Sequence, residues 1–293
     1  ESYFKSLVKT VNYEARKTKR FKNDKTNSEL NTALGYLAKL NLYKNDTANK
    51  NFHTLTPKVL LRYAPGHMRD VDKASKLSYD NLYKINKINQ PDVIESGLST
   101  SIGFEYKKNK LDKKNNLSSK IISFSAGQVI SAEENMKIPS RSSMDQKFSD
   151  VVGKAELNAN EKISLNYNFS LDQGYKRFNY NEIGTDITFD KAKFNIKFLQ
   201  EKNHIGDQEF VKSGANFKLN ESSELNFSTK RNLLTSSAEF YNLSYNYIND
   251  CLKAGIGYRR EFYTDRDIEP EDRLMFTISI IPFAEINTAG LAK

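Results

Sequence analysis

Four arginines, Arg259, Arg260, Arg266 and Arg273, crowd into one short stretch late in the sequence. A guanidinium presents a planar fork of donors that matches phosphate oxygens, so such a cluster suits phosphate groups. The same stretch carries Glu261, Asp265, Asp267, Glu269, Glu271 and Asp272. These acids are at least as numerous as the arginines, so ion pairing across a hairpin is the weightier reading. Cys251 is the single cysteine, which argues against a disulfide scaffold within the chain and against a cysteine-rich zinc site. His53, His67 and His204 are far apart, with no metal-ligand spacing. No Ser-His-Asp arrangement, HExxH, P-loop or GxGxxG occurs. The expectation is no catalytic residue, no metal and no cofactor, and hence no enzyme.

The elements that must carry these residues show a period of two. Ile163, Leu165, Tyr167, Phe169 and Leu171 alternate with Ser164, Asn166, Asn168 and Ser170. That is a strand with one apolar and one wet face. Phe194, Ile196 and Phe198 repeat the pattern, as do Tyr241, Leu243, Tyr245 and Tyr247, then Leu252, Ala254, Ile256 and Tyr258. About fourteen such segments are read. They lie near 6–15, 29–43, 55–63, 97–106, 119–130, 151–159 and 162–171. The rest are near 182–190, 193–200, 209–219, 224–230, 237–248, 251–263 and 273–281. Most are close to the ~9–11 residues that a tilted strand needs to cross a bilayer. Short links, as at 159 to 162, 190 to 193 and 248 to 251, are interspersed with longer ones near 64–96 and 131–150. This asymmetry and the strand lengths favour an all-β, antiparallel transmembrane barrel over a soluble sandwich. Leu165, Tyr167, Phe194, Ile196, Leu243, Tyr245, Ile256 and Phe276 are expected to point outward, and Asn166, Asn195 and Asn246 inward.

Composition sets the remaining bounds. Aromatic residues make up 12%, too many for a disordered chain. The net charge of +9 suits anionic lipid or phosphate-bearing partners, or else reflects a drift toward Lys. The basic stretches Arg16 to Lys22 and Lys107 to Lys114 are interrupted, and no nucleic-acid partner is expected. No run approaches the ~18 apolar residues of a membrane helix. Glu1-Ser2-Tyr3-Phe4 does not read as a signal peptide, so the expectation is a piece of a longer protein.

Four stretches resemble the LPS-assembly protein LptD (OstA) family. The first runs from Leu55-Thr56-Pro57 to Arg62-Tyr63-Ala64-Pro65-Gly66. The second is Tyr79-Asp80-Asn81-Leu82-Tyr83-Lys84-Ile85-Asn86-Lys87, followed by Pro91-Asp92-Val93-Ile94-Glu95-Ser96-Gly97. The third is Ser149-Asp150-Val151-Val152-Gly153 after Gly127-Gln128, and the fourth spans Tyr245 to Pro270. Tyr83 stands where Phe is usual, and Lys84 and Lys87 where Arg is common.

The resemblance implies an outer-membrane barrel of a Gram-negative bacterium, embedded in outer-membrane lipid, that delivers lipopolysaccharide to the outer leaflet through a lateral gate. Residues 1–283 would be the C-terminal part of that barrel, about fourteen strands of a larger number, and 284–293 a tail. A periplasmic jellyroll domain and the first strands would lie outside this chain. An LptA-like bridge would join through that domain, and an LptE-like lipoprotein would plug the barrel. The loop with Tyr79, Asp80, Asn81, Leu82, Tyr83, Asn86, Asp92 and Glu95 would face the lumen or that partner. Strand 273–281, with Arg273, Met275, Thr277 and Ser279 and ended by Pro282, would flank the gate. Cys251 would bond to a cysteine of the jellyroll domain, and Arg259, Arg260 and Arg266 would meet lipopolysaccharide phosphates. The alternative is a diffusion porin or receptor barrel.

Overall fold

The computed structural model describes residues 1–15, 26–71, 76–88, 90–111, 117–202, 207–262, 271–280 and 284–287. Among them there is no helix, and sixteen strands form antiparallel pairs. They are β1 (Ser2–Glu14), β2 (Thr26–Lys39), β3 (Leu42–Asp46), β4 (Asn51–Ala64), β5 (Gly97–Leu111), β6 (Leu117–Ser131), β7 (Val151–Asn158) and β8 (Ile163–Leu171). There follow β9 (Phe178–Thr188), β10 (Ala192–Glu201), β11 (Gln208–Lys218), β12 (Ser223–Asn232), β13 (Ser237–Ile248), β14 (Leu252–Glu261), β15 (Asp272–Ile280) and β16 (Ala284–Asn287). Strand order follows chain order, with β3 set off the path as a partner of β4. The expectation of an all-β antiparallel fold holds.

The chain forms two compact units. The first holds Glu1–Leu157, Tyr167–Asn181 and Glu201–Asp207, and the second Asn158–Asn166, Glu182–Gln200 and Gln208–Lys293. In the first, β1 to β7 pair in sequence around β3. In the second, β11 to β16 pair in sequence.

Two strands go beyond the segments read from the sequence. The 29–43 segment is broken at Leu40 and Asn41, and its end belongs to β3, which folds back on β4. The segment counted as a tail contains β16, paired with Thr277 to Ile280 of β15. Thus β15 has a partner on each side over its last residues.

The alternation sorts side chains as expected. Leu165, Ile196, Leu243, Tyr245, Ile256 and Phe276 are all exposed large apolar residues, whereas Tyr167 and Phe194 are half-buried. Their neighbours in sequence lie on the opposite face. There Asn246 donates to Glu224 (3.1 Å). A face this rich in exposed Leu, Ile, Phe and Tyr marks an interaction surface, and its breadth suits lipid.

Because the strands turn apolar side chains outward, their other face has little left with which to build a core. The core of the first unit comes instead from the two long connections. Met68, Val71, Leu77, Leu82, Ile88 and Val93 of the first pack with Ile138 and Met144 of the second, against Val129 of β6 and Val152 of β7. A smaller cluster joins Ala33, Ala64 and Ile94 with Leu7 and Ile85.

Candidate functional site

The candidate site is the long connection between β4 and β5, docked on the sheet. Glycines make its seat. Gly103 of β5 and Gly127 of β6 are direct cross-strand partners. A Cβ on Gly127 would lie 2.5 Å from Leu82 Cδ2, and one on Gly103 would lie 2.6 Å from the Tyr83 hydroxyl. Both distances are well inside van der Waals contact, and the Ala126 and Ile102 carbonyl oxygens would lie 2.3 and 2.7 Å from the Cβ atoms added at Gly103 and Gly127, so a side chain at either glycine would press on the neighbouring strand as well as on the loop. Leu82 is fully buried there. Tyr79 and Tyr83 meet edge to face at 5.9 Å, the preferred aromatic geometry. Lys58 stands 5.9 Å and 5.8 Å from their ring centres and pairs with Glu105 at 2.6 Å. Burial pushes the Tyr79 hydroxyl up to about 12 and raises that of Tyr83 as well.

Asn86 closes the second half of the loop. Its amide donates to the carbonyls of Ile88 (3.0 Å) and Val93 (2.9 Å), and its Oδ1 accepts from the Glu95 N–H (3.1 Å). Asn81 does the same for the first half, accepting from Ser78 N–H and donating to the Lys76 carbonyl. Asp92 lies 3.5 Å from Arg69, which also pairs with Glu29. Asp80 is exposed, with its carboxylate 3.8 Å from Lys154. From β1, the Lys5 ammonium donates to the Tyr83 carbonyl and Lys9 donates to those of Gln90 and Val93. Of the loop residues read from the sequence, Leu82, Tyr83, Asn86 and Glu95 therefore face the sheet or the interior of the loop, while Asp80 faces out.

Arg62, Lys87 and Glu95 form a charged cluster under the loop. Arg62 donates through Nε to the Ile85 carbonyl and through Nη2 to that of Glu95. Lys87 Nζ lies 3.5 Å from Glu95 Oε2. Burial raises the Glu95 pKa, but Lys87 and Arg62 outweigh it and hold the carboxyl below its ordinary value. Burial lowers Lys87. Sequence reasoning placed Glu95 and missed Arg62 as a member of the site. The available signal was a pair of glycines inside two strands, which marks a close approach of backbone or loop.

In the second unit the polar face is lined by asparagines over glycines. Cβ atoms added at Gly184, Gly214 and Gly255 would lie 2.4, 2.7 and 2.8 Å from the Oδ1 atoms of Asn166, Asn195 and Asn246. Glu224 accepts from the amides of Asn216 (3.2 Å), Asn226 (3.2 Å) and Asn246 (3.1 Å). A cavity of about 270 Å³ beside it is lined by Lys191, Lys193, Lys218, Asn216 and Glu224, among others.

The arginine cluster is engaged with acids. Arg259 Nε donates to Glu261 (2.6 Å), Arg260 lies 3.7 Å from Asp272, and Arg273 pairs with Glu271 at 2.6 Å. Arg259 stands directly opposite Arg273 across β14 and β15, so these acids separate two like charges. Met275 is opposite Gly257, Thr277 opposite Gly255, and Ser279 opposite Lys253. Cys251 is exposed in the turn between β13 and β14, and its thiol is free. Arg266 and Pro282 lie outside the described residues.

A family model described as LptD, LPS transport system D, matches residues 7–228, from β1 into β12. No curated protein matches the chain. Among solved structures, a two-site mutant of the Rh. blastica porin is 11% identical, covering 98% of this chain and 93% of that one at a TM-score of 0.42. A triple mutant of the Rhodopseudomonas blastica porin is 9% identical over 98% and 93%, at a TM-score of 0.44. At these scores the likeness carries no weight.

Proposed function

The chain belongs to the LptD family, LPS transport system D, and from that premise we propose that it forms part of an outer-membrane β-barrel that hands lipopolysaccharide to the outer leaflet of a Gram-negative bacterium. The single observation that carries the reading is the family match, which runs through the docked loop and its glycine seat. The broad row of exposed apolar side chains on the strands supports a lipid-facing surface.

The proposed role is translocation and not catalysis. Lipopolysaccharide would arrive over an LptA-like periplasmic bridge and leave sideways between the first and last strands. An LptE-like lipoprotein would meet the loop from its open side, where Asp80 is exposed. The loop itself would be part of the barrel filling, held by Lys5, Lys9 and Arg62.

The test is a crosslink from β16, the last of the described strands, at Glu285 or Asn287, to the first strand of the complete barrel, because β16 covers the Thr277 and Ser279 positions of β15. It should block lipopolysaccharide export while folding stays intact, because unpaired backbone in lipid is costly and a gate must open its seam. The same crosslink between β8 and β9 should leave export unchanged. Export at the normal rate from a seam-locked protein would refute the lateral gate and favour a diffusion porin.

A further inference from the structure

Five buried polar atoms beneath the docked loop have no hydrogen-bond partner among the described residues: Arg62 Nη1, Lys87 Nζ, Glu95 Oε2, Ser99 Oγ and Ser101 Oγ. Each of these residues is at most 4% exposed. Buried polar groups are nearly always paired. Lys87 Nζ and Glu95 Oε2 face each other as an ion pair, so it is the donors of Arg62, Ser99 and Ser101, with the positive charge beside them, that call for an occupant.

Their positions converge. Arg62 is the cross-strand partner of Ser99, and Leu60 that of Ser101. Residues two apart on a strand share a face, so both hydroxyls stand on the face from which Arg62 projects. Lys87 approaches from the loop, 3.5 Å from Glu95. That distance holds an ion pair but is beyond a good hydrogen bond.

The chemistry of the set selects the occupant. Two cations face one carboxylate, which leaves one positive charge unbalanced in a buried site. Such a charge is costly unless it is paired. The unused hydrogen-bonding capacity is also lopsided. Arg62 Nη1 and Lys87 Nζ donate only, the two hydroxyls can donate, and Glu95 Oε2 is the sole obligate acceptor. Water would bring protons of its own and leave the charge uncompensated. An anion without protons supplies both the acceptor and the charge. We propose that a small monovalent anion, chloride or its like, binds between Arg62, Lys87, Ser99 and Ser101 and is part of how the loop docks. A cavity of about 490 Å³ reaches the site at Glu95 and Ser99, and Glu133, Glu134 and Lys137 line it farther out.

The test uses the intact protein purified in detergent. Amide exchange of the 76–88 segment is followed while chloride replaces gluconate at constant ionic strength. Protection should rise with chloride and saturate, as linkage to a single site requires, and bromide should act in the same way. A variant with Ser99→Ala and Ser101→Ala should need about tenfold more chloride for the half-maximal effect, the equivalent of about 1.4 kcal/mol of binding. Should that variant fail to fold, crystals of the unmodified protein soaked in bromide decide the matter: an anomalous peak beside Arg62 and Lys87 supports the site. The proposal is overturned by protection that ignores chloride in the unmodified protein, by an equal response in the double variant, or by a missing bromide peak.

Discussion

Leu82→Ala tests whether the loop is held by its apolar seat. Leu82 is wholly buried against the backbone at Gly127, within a cluster of Met68, Val71, Leu77, Ile88 and Val93. Truncating such a side chain costs about 2–5 kcal/mol, the transfer of the lost atoms plus the cavity left behind. The ladder hydrogen bonds of β5 and β6 do not involve Leu82, so the cost falls on loop docking. At about 1.4 kcal/mol per decade, the undocked population should rise roughly thirty-fold to several thousand-fold. Amide exchange across 76–88, read by mass spectrometry on protein in detergent, measures that population directly. Strands β5 and β6 should keep their protection, and Leu243→Ala, at an exposed position of β13, should leave the loop unchanged. Loop exchange in Leu82→Ala equal to that of the unmodified protein would refute the seat, as would a loss of protection spread evenly over the strands.

Three further outcomes follow from the same geometry. Leu243→Arg should destabilise the protein by about 2–4 kcal/mol if that residue lies near the bilayer midplane, whereas Asn246→Arg, placed beside Glu224, should cost far less; refolding titrations in lipid vesicles compare the two. The Glu95 carboxyl is held below its ordinary value of 4.5, so its contribution to docking is fully present above that pH and lost as pH falls through the lower, folded value; loop exchange measured on acidification should rise only below about 4.5. Cys251 is exposed in its turn, and in the full-length protein we expect it bonded to a cysteine outside residues 1–293. Non-reducing electrophoresis against Cys251→Ser checks this, and a freely alkylated thiol with no mobility difference would remove the claim.

The strands were legible because each sees different surroundings on its two faces, which writes a period of two into residues such as Ile163 to Leu171. What escaped had too little chain to show a period. Strand β3 is five residues long and merges with β2 across Leu40 and Asn41, and β16 is four. The loop drew notice through Tyr79, Leu82 and Tyr83, apolar residues that a solvated loop does not need. Arg62 escaped because a charged residue on a strand reads as one more position on the wet face. Only its neighbours in space, Lys87, Glu95 and Ser99, show that this position is dry. The arginines near the end went the way their neighbouring acids indicated, since Arg259, Arg260 and Arg273 are each matched by a carboxylate.

The outward turn of the apolar residues also explains why the first unit needs its long connections. On β5 and β6 the inward positions include Ser99, Ser101 and Gly103, and Ser123, Ser125 and Gly127, small residues that leave room without filling it. The filling must come from elsewhere, and it comes from side chains that the connections supply. The ladder and the filling are therefore stabilised by different forces: backbone hydrogen bonds for the first, apolar burial and a few charged ties for the second. Units held by separate interactions open separately. Under the proposed transport role, a bulky lipid would need a stable wall and a filling that can yield, and the division between strand and loop in this chain would supply both from one sequence.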